Sequence, residues 1–240
     1  PTKTFNGELN QGSVAYPLTI VGVGTYGSSN LVGNPFPSSI DWKAVSGWGR
    51  TNLAENISGG YDMHIYNAAA GNYGTFNSNA TGNGTNGATQ YIPPMQGFVV
   101  KASAAGDLTM NNSVRVHSDQ AFLKSTEELA DYLKLKVSGT ANTYSDEVII
   151  EFNHDNDLGG ASKLFSFVAE APGLYTVKDS YEYAIDFRGV PKEETIIPMH
   201  FRVGATGSYT LQALTLETFA EGVMIFLEDK KNGILHELTQ

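Results

Sequence analysis

Pro35 and Pro37 flank a single aromatic in the run Asn30-Leu31-Val32-Gly33-Asn34-Pro35-Phe36-Pro37-Ser38-Ser39-Ile40-Asp41-Trp42. Proline fixes φ, cannot donate to a sheet ladder, and pushes the residue before it toward extended geometry. Two of them therefore stop a strand and hold Phe36 in a stiff loop. A matching corner follows at Tyr91-Ile92-Pro93-Pro94-Met95-Gln96-Gly97-Phe98-Val99-Val100-Lys101. A chain punctuated this way, with 26 glycines and only 17% charged residues, favours short strands joined by turns over helices.

Alternation supports that expectation. Residues 2–10 and 13–21 read as a hairpin, and Tyr61–Tyr66, Gly97–Ser103, Asp107–Met110 and Ser113–His117 read as strands. Ser38 or Ser39 could cap one helical turn over Ile40 to Val45. Residues 67–90, rich in Gly, Asn, Thr and Ala, read as a long exposed hairpin loop. In the second half Tyr132–Val137, Glu147–Phe152, Lys163–Val168, Tyr181–Phe187, Thr195–Val203, Ser208–Leu216 and Val223–Leu227 alternate with turns between. The expected fold is all-β, an antiparallel β-sandwich of jelly-roll or immunoglobulin-like architecture. It is expected as two packed sandwiches, 1–120 carrying the 67–90 loop and 121–240.

Composition excludes several functions. A net charge of −10, from 15 basic and 25 acidic residues, leaves little to neutralise phosphate and argues against nucleic acid and anionic membranes. No run of 18 apolar residues is present to span a bilayer. The absence of cysteine removes disulfides, thiolate metal sites and a thiol nucleophile together. The chain opens at Pro1 and closes at Gln240 in strand-like sequence, so both ends read as cut from something longer.

The first corner resembles the "GNPYPS…DW" signature of large extracellular proteins of Bacteroidetes-type bacteria, with Phe36 in place of the common Tyr. Ile92-Pro93-Pro94-Met95-Gln96-Gly97-Phe98-Val99-Val100-Lys101 is similar to their "IPPMQGFFVK". Asn111–His117, Ser145–Ile149, Ala161–Ser166, Gly207–Leu211 and Phe226–Lys230 continue the match in order. The resemblance implies a secreted or cell-surface module of the kind that precedes a type IX secretion sorting domain. It implies adhesion, display or structural support, with extracellular polysaccharide or protein as partner, and the secretion machinery reached through a further C-terminal domain. It supplies no catalytic residues.

The residues themselves suggest little bond-breaking chemistry. Gly22–Gly27 and Gly82–Gly87 both match G-x-G-x-x-G, yet neither is followed by the helix that would hold a pyrophosphate. His64, His117, His154, His200 and His236 are dispersed without metal-ligand spacing. Asp155-Asn156-Asp157, ahead of Gly159-Gly160, offers oxygen ligands suited to calcium, and equally the composition of a turn. Acid pairs such as Asp146-Glu147 point to opposite faces of a strand, unlike the facing carboxyls, about 5–10 Å apart, of glycosidases.

Aromatics are the remaining signal. Trp42, Trp48, Tyr61, Tyr66, Tyr73 and Phe76 cluster in the Gly/Asn-rich region and could form a sugar-stacking platform, because such rings offer an apolar face with a polar edge. The competing expectation puts Trp42 and Tyr61 in the core and leaves Tyr73 and Phe76 exposed. The chain is thus expected to be a non-catalytic extracellular module, or alternatively a carbohydrate-binding module using residues 42–76.

Overall fold

A computed structural model describes residues 7–22, 27–56, 58–117, 131–154, 159–191 and 194–238. Among the described residues the regular structure is all strand, apart from three short 3-10 turns. The fold is all-β and sandwich-like, with mostly antiparallel sheets. Where one boundary near residue 120 is expected, the chain forms two units differently composed. Pro1–Glu55 joins Thr89–Lys124, and Asn56–Ala88 joins Ser125–Gln240.

In the first unit, Val14–Leu18 pairs antiparallel with Gly106–Met110, from Val14↔Met110 to Leu18↔Gly106. Trp48–Gly49 takes the other edge of Gly106–Met110. Ser39–Asp41 lies between Arg115–Val116 and Tyr91–Ile92, and Ser29–Gly33 pairs with Gly97–Lys101. The two Pro/aromatic corners therefore begin and end strands that are ladder neighbours. Val32, Phe36, Ile40, Trp42, Ile92 and Phe98 are buried in this unit.

Local expectations fail here: residues 7–10 of the expected first hairpin are not strand, and Val14–Leu18 pairs with Gly106–Met110 instead. The helical turn over Ile40 to Val45 is instead the strand Ser39–Asp41 followed by a turn. Asp41 Oδ1 accepts the Lys43 N–H at 2.8 Å, an Asx turn that competes with a helical start. Ser113–His117 splits into a 3-10 turn, Asn112–Val114, and the short strand Arg115–Val116. The Asn111 side chain caps that turn by accepting the Ser113 N–H at 2.9 Å.

The second unit holds a sheet in the order Met199–Arg202, Gly173–Lys178, Tyr181–Gly189, Ser145–His154, Tyr132–Gly139, Tyr209–Ala213. Its pairs are antiparallel except Ser145–His154 with Tyr181–Gly189, which run parallel. Gly159–Ser162 also pairs with Tyr181–Gly189. A Cβ on Gly160 would meet the Ile185 carbonyl oxygen at 1.9 Å, so only glycine permits that approach. The strand expected at Lys163–Val168 does not form, because Lys163 turns inward to an acid and Ser166 closes a turn onto Val168.

Alternation along these strands separates two faces. Leu133, Leu135, Val137, Val148 and Ile150 build the core on one, where the hairpin Ile225–Asp229 with Ile234–Leu238 sets Ile225 and Leu238 against them. Tyr132, Lys134, Glu147 and Glu151 belong to the other. That polar row receives the Gly/Asn-rich segment.

Candidate functional site

The stretch from Asn67 to Thr89 reads as an exposed loop from its composition, and the structure corrects this. Asp62–Asn67 and Asn72–Asn77 form a hairpin, from Asp62↔Asn77 to Asn67↔Asn72. Residues 81–88 then lie on the second unit's sheet. The Thr81 N–H and hydroxyl donate to Glu151 Oε2 at 3.2 and 3.1 Å. The Tyr132 hydroxyl donates to Asn83 O at 2.5 Å, and Lys134 Nζ to Gly84 O at 3.1 Å. Burial pushes the Tyr132 phenol well above its ordinary range, with the negative charges of Glu151 and Glu147 adding to it.

Asparagine amides make that packing affordable. Asn72 Nδ2 donates to Ser145 O at 2.8 Å and Pro172 O at 3.0 Å, and Asn77 Nδ2 to Asp62 Oδ1 at 2.7 Å. Asn86 adopts the left-handed conformation, φ 48° and ψ 36°, which asparagine tolerates better than most residues. Its N–H donates to Glu147 Oε2 at 2.8 Å, and its Nδ2 donates to Tyr73 O at 2.9 Å and Asp146 Oδ1 at 2.8 Å. Asp146 is wholly buried. Its Oδ2 accepts the Leu174 N–H at 2.7 Å and the Lys163 ammonium at 2.5 Å. A buried charge set in this way is paired and hydrogen-bonded, as burial demands.

The aromatics proposed from sequence do not form one platform. Trp42 is 0% exposed and meets Trp48 edge-on at 4.9 Å and Phe98 at 5.8 Å. The Arg50 guanidinium lies over both indoles, 4.3 Å from Trp42 and 4.8 Å from Trp48. Trp48 is half-buried and donates its Nε1–H to Asp41 O at 2.9 Å. Burial raises the Asp41 carboxyl, opposed by the Lys43 N–H and by the charges of Lys43 and Arg50. Tyr61 is half-buried beside Ser78, and Phe76, expected at the surface, is buried opposite its buried strand partner Met63, in a strand covered on both faces.

Tyr66 and Tyr73 do come together, as directly opposed strand partners with ring centroids 5.4 Å apart. A residue that sequence reasoning missed joins them. Phe167 stacks on Tyr66 at 4.6 Å and 30°, stands 6.4 Å from Tyr73, and is 71% exposed. The Ser166 hydroxyl bonds to Gly71 O and accepts the Val168 N–H at 3.0 Å, which fixes the turn that presents Phe167. No local pattern pairs Phe167 with Tyr66, far back along the chain. Only the tertiary fold does so.

Asp155, Asn156 and Asp157, the calcium candidates, lie outside the described residues. Among the described residues no group of three or more His, Asp or Glu side chains is placed to hold a metal ion. His64 is buried, with Nδ1 2.9 Å from Thr75 Oγ1. No helix among the described residues is long and apolar enough to cross a membrane.

No curated protein and no solved structure matches the chain. A family model described as "Domain of unknown function (DUF8693)" matches residues 1–240, the entire sequence, and the chain belongs to that family.

Proposed function

We propose that the chain is a non-catalytic module of a larger secreted or cell-surface bacterial protein, acting in adhesion, display or structural support. The observation that carries this reading is the placement of the signature residues. Asn34 is 3% exposed and Trp42 is 0% exposed, and both are hydrogen-bonded inside the first unit. Burial of these two residues supports a structural role for the motif. Asp146 and Glu151 likewise serve loop amides and a lysine. Delivery by the type IX machinery belongs to the same reading and rests on the motif resemblance. The test is turnover of polysaccharide, glycoside, ester and peptide substrates by the purified chain. None is expected; turnover lost in Glu151→Gln or Asp146→Asn would overturn the reading.

A second reading, carbohydrate binding, is favoured by the Tyr66–Phe167 stack. A well-exposed ring held flat against another presents a preorganised apolar face, and the acidic chain disfavours anionic ligands over neutral sugars. Retention on cellulose, chitin and mannan, with a glycan array, tests it. Binding should vanish in Phe167→Ala and survive in Trp48→Ala; binding indifferent to Phe167→Ala removes this face.

A further inference from the structure

The Lys163 side chain is 1% exposed, and among the described residues its ammonium meets one partner, Asp146 Oδ2 at 2.5 Å. Asn86 donates its amide to the other oxygen of the same carboxylate at 2.8 Å. Asn86 Oδ1 is buried without a hydrogen-bond partner among the described residues. An amine, a carboxamide and a bridging carboxylate are thus gathered where water is excluded. Asn86 Nδ2 is held by both Asp146 and Tyr73 O, while among the described residues its carbonyl oxygen accepts from nothing.

We infer that Lys163 and Asn86 become joined by an intramolecular isopeptide bond, with Asp146 as the proton shuttle. Asp146 takes a proton from the ammonium, leaving a neutral amine. The Lys163 Nζ lone pair attacks Asn86 Cγ, and the protonated carboxyl donates to the amide as the tetrahedral adduct forms. The Cγ–Nδ2 bond then breaks. Nδ2 departs as ammonium, carrying one proton from the attacking Nζ and the proton that Asp146 relayed from Lys163, so no oxidant or co-reactant is needed. The product is an Nζ–Cγ amide, and Asp146 is again a carboxylate. The bond closes the chain between residues 86 and 163 and staples the Gly/Asn segment to the sheet in a protein that has no cysteine. Such a link restrains the unfolded chain as a disulfide does, without redox chemistry.

Intact mass spectrometry of the folded, purified chain under denaturing conditions tests this. The mass should fall short of the sequence by one ammonia, and digestion should yield a branched peptide containing Asn86 and Lys163. Asn86-Gly87 can also lose ammonia by closing a succinimide, so Lys163→Arg is the deciding variant. It keeps a positive charge beside Asp146 and cannot be acylated to a stable amide. A full mass in Lys163→Arg and in Asp146→Asn, with circular dichroism unchanged, is the expected result. A wild-type chain of full mass whose Lys163 reacts with an amine reagent once unfolded would overturn the inference. So would an ammonia loss that persists in Lys163→Arg.

Discussion

Asn34 donates its side-chain amide to the carbonyl of Ile92 at 3.0 Å, across 58 residues of chain. The same Nδ2 lies 2.8 Å from Ser38 O and 2.9 Å from Pro93 O, while Oδ1 accepts the Phe36 N–H at 2.9 Å. Prolines make this necessary. Pro35, Pro37, Pro93 and Pro94 offer no N–H, so the carbonyls of both corners need a donor from elsewhere. One asparagine supplies it and ties the two corners together.

Asn34→Ala should therefore destabilise the first unit by about 2–3 kcal/mol, since it leaves buried carbonyls and one N–H unmet. Both tryptophans lie in that unit, so intrinsic fluorescence during urea unfolding follows it selectively. An unchanged midpoint would refute the account.

Arg50 is placed over both indoles of the Trp42–Trp48 pair. Arg50→Ala should cost about 1–2 kcal/mol in the same assay and shift the tryptophan emission. Arg50→Lys should recover part of the stability but not all, because an ammonium cannot match a flat guanidinium against two rings.

Tyr132 couples the stability of the fold to alkaline pH. Its phenol is held above the ordinary tyrosine value by burial and by the charges of Glu151 and Glu147. Below about pH 10 the phenol is protonated in folded and unfolded chains alike, and its contribution is complete. As pH climbs past about 10, the unfolded chain releases the proton first, so stability falls until the folded value is reached. Tyr132→Phe should remove that alkaline loss. At neutral pH it should cost about 1 kcal/mol for the bond to Asn83 O. Denaturant midpoints at pH 7 and at strongly alkaline pH, compared between the two proteins, give the answer.

Gly84 measures how firmly the Gly/Asn segment is seated. A Cβ there would stand 2.0 Å from Thr75 O, so Gly84→Ala should destabilise the second unit by roughly 2–3 kcal/mol. Gly12, whose Cβ would meet nothing, is the control for the steric part of the effect. Its positive φ of 79° still exacts a smaller strain from alanine. Far-ultraviolet circular dichroism during urea unfolding reads both; equal effects would mean the segment is loose.

Strand character was legible wherever apolar and polar residues alternate, as at Tyr132–Gly139, Ser145–His154 and Tyr181–Gly189. For Trp42 the sequence left two expectations open, sugar platform and core, and the structure buries it. The region from 67 to 88 was not legible as packed structure, because composition weighs apolar side chains and this segment is buried through amides. Asn72, Asn77 and Asn86 are each 5% exposed or less, yet asparagine reads as loop. Of the candidate face, Tyr66 and Tyr73 could be named from sequence only as members of an aromatic cluster; their pairing across a hairpin and the addition of Phe167 come from the fold.

The sequence by itself determined that the chain is built from short strands, where prolines and glycines break them, and that its surface is acidic. These are local properties, set by φ restriction, side-chain alternation and charge. Only the tertiary structure decided that Asn56–Ala88 belongs with the later half, that Phe167 covers Tyr66, and that Asn86, Asp146 and Lys163 meet. The reason is physical: a buried amide or carboxylate is satisfied by whichever partner the fold brings within hydrogen-bond reach, and spacing along the chain does not specify that partner.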